Sequence, residues 1–98
     1  MRAASLVGAL LLCVSTLVLA EDVTAERWYR APDDQKRAEV ARVLGNIGSK
    51  PGCRVKLSTD YYVRALNAML KQDTAARNLQ FFEALALVAT GAGENWCP

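Results

Sequence analysis

Histidine is absent from all 98 residues of this chain, and with it go the usual general base near neutral pH and the commonest nitrogen ligand for zinc or copper. Cysteine is scarce. Its three copies, Cys13, Cys53 and Cys97, follow no C-x-x-C spacing and have no further Cys or His beside them, so neither a redox pair nor a metal site is written here. Proline and glycine number only three and six, and "GNIGSKPG" lacks both the G-x-x-x-x-G-K-[ST] spacing and the preceding strand of a phosphate loop. An excess of charge is also missing. The 12 Lys plus Arg meet 10 Asp plus Glu with no basic tract or basic helical stripe, which argues against nucleic acid or an anionic membrane as the main partner.

What could still do chemistry has a plainer role. Ser49, Ser58, Thr59 and Thr74 have no neighbouring base and sit where caps and turns call for hydroxyls. The paired carboxylates Asp33 and Asp34 stand where the dipole at a helix start favours negative charge. The sequence therefore reads as a non-enzyme, with no catalytic residue, no cofactor and no metal site.

A single long uncharged run is present, and it lies at the start. Residues 1–20, MRAASLVGALLLCVSTLVLA, have a basic start, an apolar middle and the small-residue site Val18-Leu19-Ala20 before the acidic Glu21 and Asp22, the layout of a secretory signal peptide. Cleavage after Ala20 leaves residues 21–98 as one small domain carrying 11 Lys plus Arg, the total of 12 less Arg2, against 10 acids. An uncleaved N-terminal anchor is the competing reading of the same run. With export comes an oxidising compartment, in which two remaining thiols normally pair. Cys53 and Cys97 are thus expected to form a disulfide, and the domain to keep no stable membrane association once the leader is removed.

The rest reads as helix. Thr24 can cap a short first helix that ends before Pro32, because the proline pushes Ala31 towards extended backbone. "PDDQKRAEVARVLGNIG" follows with Pro32 as its first residue, an apolar face of Val40, Val43, Leu44 and Ile47, and Gly48 as a left-handed stop. Lys36, Arg37, Glu39 and Arg42 mostly take the opposite, polar side. Pro51-Gly52 marks a turn. Ser58 caps a third helix, with Leu57 placed to staple onto Tyr62 and a buried side of Tyr62, Val63, Leu66, Met69 and Leu70. Asp73 is read as the cap of a fourth, running "TAARNLQFFEALALVAT" with Phe81, Phe82, Leu85, Val88 and Ala89 inward and Gly91 as its stop. The expected fold class is all-α: a small antiparallel bundle of three to four helices, with the last two forming a hairpin and the tail clasped by the disulfide to the turn at Cys53. Trp96, carried next to Cys97, is expected to pack over the bridge or the helix ends.

Recognition is the function class that remains. Trp28, Tyr29 and Arg30 cluster in "ERWYRAPDD" and belong to residue types enriched at binding hot spots, which makes them the candidate partner-binding residues. The alternative is that Trp28 closes the helical core while Tyr29 and Arg30 cover its edge.

Cys53, Ser58 at a helix start, "YVRAL" at Tyr62 to Leu66, "EALALVA" at Glu83 to Ala89 and the terminal "CP" at Cys97 and Pro98 together resemble the C-terminal part of the Rap1a/Tai family of exported immunity proteins. Those are small helical proteins that bind and block peptidoglycan amidase effectors delivered by type VI secretion. The resemblance spans less than half of the chain. It implies a periplasmic location, a protein partner of the amidase class, and Cys53 and Cys97 as the bridge, while placing no inhibitory residue. A periplasmic acid-stress chaperone and a helical accessory subunit of an envelope complex are the alternative functions, and a homodimer is left open.

Overall fold

The computed structural model describes residues 23–98. The anticipated leader, residues 1–20, lies outside them. Four helices and one 3-10 turn make up the described chain: α1 (Ala25–Tyr29), α2 (Asp33–Gly48), α3 (Thr59–Gln72), the 3-10 turn (Thr74–Asn78) and α4 (Phe81–Gly91). The fold is all-α, and among the described residues the one β-type pairing is an isolated antiparallel bridge between Thr24 and Gln80.

Local chemistry accounts for most of the helix starts. The Thr24 hydroxyl accepts from the Arg27 N–H at 3.2 Å, and that of Ser58 accepts from the Tyr61 N–H at 3.1 Å, so each satisfies a donor that the helix itself leaves open. Pro32 stands just outside α2 as its cap residue, not as its first helical residue. The two anticipated glycine stops are also corrected: Gly48 and Gly91 are the last helical residues, and left-handed backbone is found one loop further on, at Gly52 (φ 80°) and Gly93 (φ 81°). Those two positions turn the chain, and a side chain there would be strained.

The largest departure concerns the stretch after Asp73. Its side chain does cap, accepting from the Ala76 N–H at 3.2 Å, but it caps the 3-10 turn and not one continuous helix. Leu79 and Gln80 then run extended because α1 needs their backbone. Ala25 N–H donates to the Leu79 carbonyl at 2.8 Å and Phe81 N–H to the Val23 carbonyl at 2.7 Å. α4 restarts at Phe81, with the Gln80 N–H donating to the Glu83 side chain at 3.1 Å, half of a capping box.

The core is drawn from all of these elements. Ala25 and Trp28 of α1, Val40 and Leu44 of α2, Tyr62, Leu66 and Leu70 of α3, Ala76 of the 3-10 turn, and Phe81, Ala84, Leu85, Val88 and Ala89 of α4 form one buried cluster. α3 is the centre of the packing, touching α1, α2, the 3-10 turn and α4. Of the side chains expected inside, Val43, Val63 and Met69 are half-buried against this cluster, and Phe82 is a correction, 51% exposed. Only one stripe of α4 can face α3, and it is filled by Phe81, Ala84, Leu85 and Val88 at helical spacing.

A disulfide joins Cys53 to Cys97 across a sequence separation of 44 residues. It holds the tail against the segment between α2 and α3, as the sequence anticipates. In the chain-entropy account, removing such a link costs about 3 to 4 kcal/mol. The Cys53→Ser/Cys97→Ser variant is therefore expected to melt roughly 12 to 30 °C lower than the oxidised protein, by thermal circular dichroism.

Candidate functional site

Three regions of the surface and its immediate support carry concentrated chemistry. The first surrounds α1. Trp28 is only 3% exposed: its ring packs on Phe81 with centroids 5.7 Å apart, and its indole N–H donates to the Lys36 carbonyl at 3.2 Å. Of the candidate contact residues, Trp28 is thus closed to a partner in this fold. Tyr29 is half-buried beneath the Arg77 guanidinium, whose central carbon lies 4.4 Å from the ring centroid. Arg30 is open, its side chain 73% exposed and ion-paired to Glu26. The structure brings the three together on α1 and its C-terminal cap but leaves only Arg30, and the edge of Tyr29, within reach.

The same region corrects the placement of Lys36, which lies not on the polar side of α2 but buried, at 8% exposure. Helical spacing explains this, since Lys36 stands four residues before Val40 and one turn up the same stripe. A buried ammonium needs compensation. Its Nζ donates to Asn67 Oδ1 at 2.8 Å and lies 5.2 Å from the Trp28 ring and 5.1 Å from the Tyr29 ring, both within cation–π range. These groups fix a charge inside a packed region, and they anchor α1 to α2 and α3.

The second region is the tail. Tyr62 has a fully buried side chain, yet its hydroxyl reaches the edge of the core and donates to Glu94 Oε1, while the Trp96 indole N–H donates to the same hydroxyl at 3.2 Å. The other Glu94 oxygen accepts from the Lys56 N–H at 2.6 Å, and the Arg54 N–H donates to the Trp96 carbonyl at 2.6 Å. Burial alone would raise the Glu94 carboxyl. The bonds from Tyr62, Lys56, Trp96 and Leu57 outweigh it and hold the group below the usual carboxylate range. Burial first, and then the Glu94 carboxylate, push the Tyr62 hydroxyl well above its ordinary value, so it stays a donor.

Trp96 packs on Tyr62 and Phe82, with ring centroids 6.2 and 5.9 Å apart. It covers the helix ends, one of the two placements expected for it. Nothing in the sequence announced the Glu94 contact. An isolated acid in a short tail carries no periodic signal, and only the position of Cys97 hinted that the tail is docked.

The third region is a groove between the C-terminal half of α2 and the start of α4, with a volume of about 320 Å³. Val43, Ile47, Phe81 and Phe82 supply its apolar lining, and Arg42, Asn46 and Lys50 its polar lining. Arg42 is paired with Glu39 at 2.6 Å. Phe82 joins the groove to the tail, because the ring that lines the one packs against Trp96 of the other.

Among the described residues, no group of three or more Cys, Asp or Glu side chains converges as a metal site would require, and no helix is long and apolar enough to cross a membrane. No protein-family model, curated protein or solved structure matches the chain.

The Tyr62 and Glu94 pair sets a pH window. A carboxyl held low in the folded state stabilises above its unfolded pKa of about 4.3, and that contribution disappears as pH falls through the folded value. A hydroxyl held high stabilises below about pH 10 and loses that contribution as pH rises. Denaturant titrations should show a plateau between roughly pH 5 and 9, with Glu94→Gln flattening the acid limb specifically. Tyr62→Phe keeps the ring and removes the donor, and is expected to cost about 1 to 3 kcal/mol at neutral pH.

Proposed function

We propose that this protein is a small exported protein-binding domain of the immunity type, which acts in the periplasm by occupying and blocking a cell-wall amidase effector. The observation that carries the reading is the groove between α2 and α4. It combines an apolar lining with an aromatic ring left 51% exposed on a helix. Exposed aromatic rings beside a pocket are the kind of side chain that anchors protein interfaces. Its polar lining includes the cationic side chains of Lys50 and Arg42, which fits a partner loop presenting an apolar side chain next to a carboxylate.

The scaffold supports the same reading. A disulfide and a polar tail anchor hold Trp96 against Phe82, so the exposed ring is presented in a fixed position and less ordering entropy is lost on binding. The resemblance of Cys53 to Pro98 to the Rap1a/Tai immunity proteins supplies the partner class, a peptidoglycan amidase. Binding, not catalysis, is the role proposed for this surface, and Arg30 with the edge of Tyr29 is a second, smaller patch that a partner could touch.

The test is to titrate the mature domain against any cell-wall amidase encoded beside it and to follow cell-wall digestion. Saturable binding with protection of the wall is expected. A Phe82→Glu substitution should weaken binding by about 100-fold or more, the scale of a lost hot spot, while the fold loses only the ring contact with Trp96, about 0.5 to 1.5 kcal/mol. Wall digestion that proceeds unchanged in the presence of a molar excess of the domain would remove this function.

A second reading, an acid-stress chaperone, is favoured by one specific feature: the tail is anchored through the carboxylate of Glu94. Protonation of that group in strong acid, below the reference carboxyl value of about 4.3, would weaken the anchor and uncover apolar surface. Suppression of client aggregation in strong acid, with none at neutral pH, is the expected behaviour under this reading.

A further inference from the structure

Residues 53–57 form no helix and no strand, yet their side chains alternate. Cys53, Val55 and Leu57 are half-buried, whereas Arg54 and Lys56 are exposed, an alternation with a period of two. The tail runs along them in the opposite direction. Cys53 is bonded to Cys97, the Arg54 N–H donates to the Trp96 carbonyl and the Lys56 N–H to the Glu94 carboxylate. Each step forward on one segment matches a step back on the other. The tail adds a side-chain code to this backbone register, since Glu94 meets the Tyr62 hydroxyl, and Trp96, two residues on, meets that hydroxyl through its indole N–H and packs on Phe82.

This is how an extended peptide is held by a receptor: main-chain donors give affinity, and places for alternate side chains give selectivity. The occupant here lies outside the buried core. None of the residues in the buried core cluster comes from residues 94–98, and Trp96 only packs against that cluster from outside. Cys97 is exposed and Cys53 half-buried, and Gly93 at φ 81° gives the chain a turning point just before the docked segment.

We propose that residues 53–57, together with Tyr62 and Phe82, are a docking strip for an extended segment of a protein partner that carries a carboxylate and, two residues later, an indole, and that residues 94–96 of the chain are its resident occupant. The disulfide keeps the resident in place. A dithiol of the thioredoxin chemical class vacates the strip by thiol–disulfide exchange: its two sulfurs become bonded to each other, and the sulfurs of Cys53 and Cys97 each take up a proton as thiols. An intramolecular occupant is present at an effective concentration in the millimolar range, so a partner segment competes poorly until that link is opened. The strip does not depend on the amidase reading and needs no amidase to be tested.

The experiment uses the full mature chain in two forms, the oxidised wild type and an unlatched variant, Cys53→Ala/Trp96→Ala/Cys97→Ala. The probe is a fluorescein-labelled synthetic copy of residues 93–98 bearing Cys97→Ser, followed by anisotropy. Saturable binding to the unlatched chain is expected, at least about ten-fold tighter than to the oxidised wild type. A Glu94→Gln change in the probe should weaken it by about ten-fold, because a charge-assisted contact is lost. Equal binding to both chains, no binding to an unlatched chain that keeps its helical circular dichroism, or an unaffected Gln probe would each overturn the proposal.

Should the unlatched variant unfold, amide exchange on dithiothreitol-treated wild type decides the matter. The proposal requires the Arg54 and Lys56 amides to lose protection while α3 and α4 keep theirs, and excess probe to restore it. Protection lost everywhere, or retained at Arg54 and Lys56, overturns it.

Discussion

The hydroxyl of Tyr62 is where the helical core and the tail are made into one structure. Its ring fills the centre of the packing on α3, a position that no polar group could occupy without a partner. The partner is supplied from more than thirty residues away in sequence, by Glu94 and Trp96. The acid in turn reaches the backbone at Lys56, so a single phenol ties together α3, the tail and the segment that leads into α3. A disulfide alone would tether the tail at one point. With the phenol contact added, the tail has an orientation as well, and Trp96 is set against Phe82 at the edge of the groove.

Much of the architecture was legible in the sequence because it is written in local rules. Caps at Thr24 and Ser58 and the apolar stripe of Val40, Leu44 and Ile47 depend on neighbours within a turn or two, and the structure keeps them. The pairing of Cys53 with Cys97 was expected from the two thiols left once residues 1–20 are read as a leader. What escaped was decided at long range. The interruption at Leu79 and Gln80 exists because residues from Val23 to Ala25 take the backbone bonds there, although Gln80 and Glu83 do spell the capping pattern that restarts the helix.

The candidate site was less legible, and Lys36 and Phe82 show why. Lysine usually signals a solvated face, but position outranked residue type: Lys36 lies on the buried stripe, and Asn67 with two aromatic rings makes that burial tolerable. Phenylalanine usually signals core, yet Phe82 faces outward beside Phe81 because α4 has only one inward stripe. The cluster of Trp28, Tyr29 and Arg30 looked like a binding surface by composition. In three dimensions its largest ring is buried in the core, and the exposed aromatic ring stands on α4 instead.

The bridge between Thr24 and Gln80 makes α1 dependent on backbone far along the chain. A chain synthesised from its N-terminus exposes α1 long before the backbone it must pair with, since the carbonyl of Leu79 and the amide of Phe81 emerge more than fifty residues later. α1 is only five residues long, too short to persist as a helix in water by itself. Its helical form therefore depends on contacts made across the fold, with the 3-10 turn, α3 and α4.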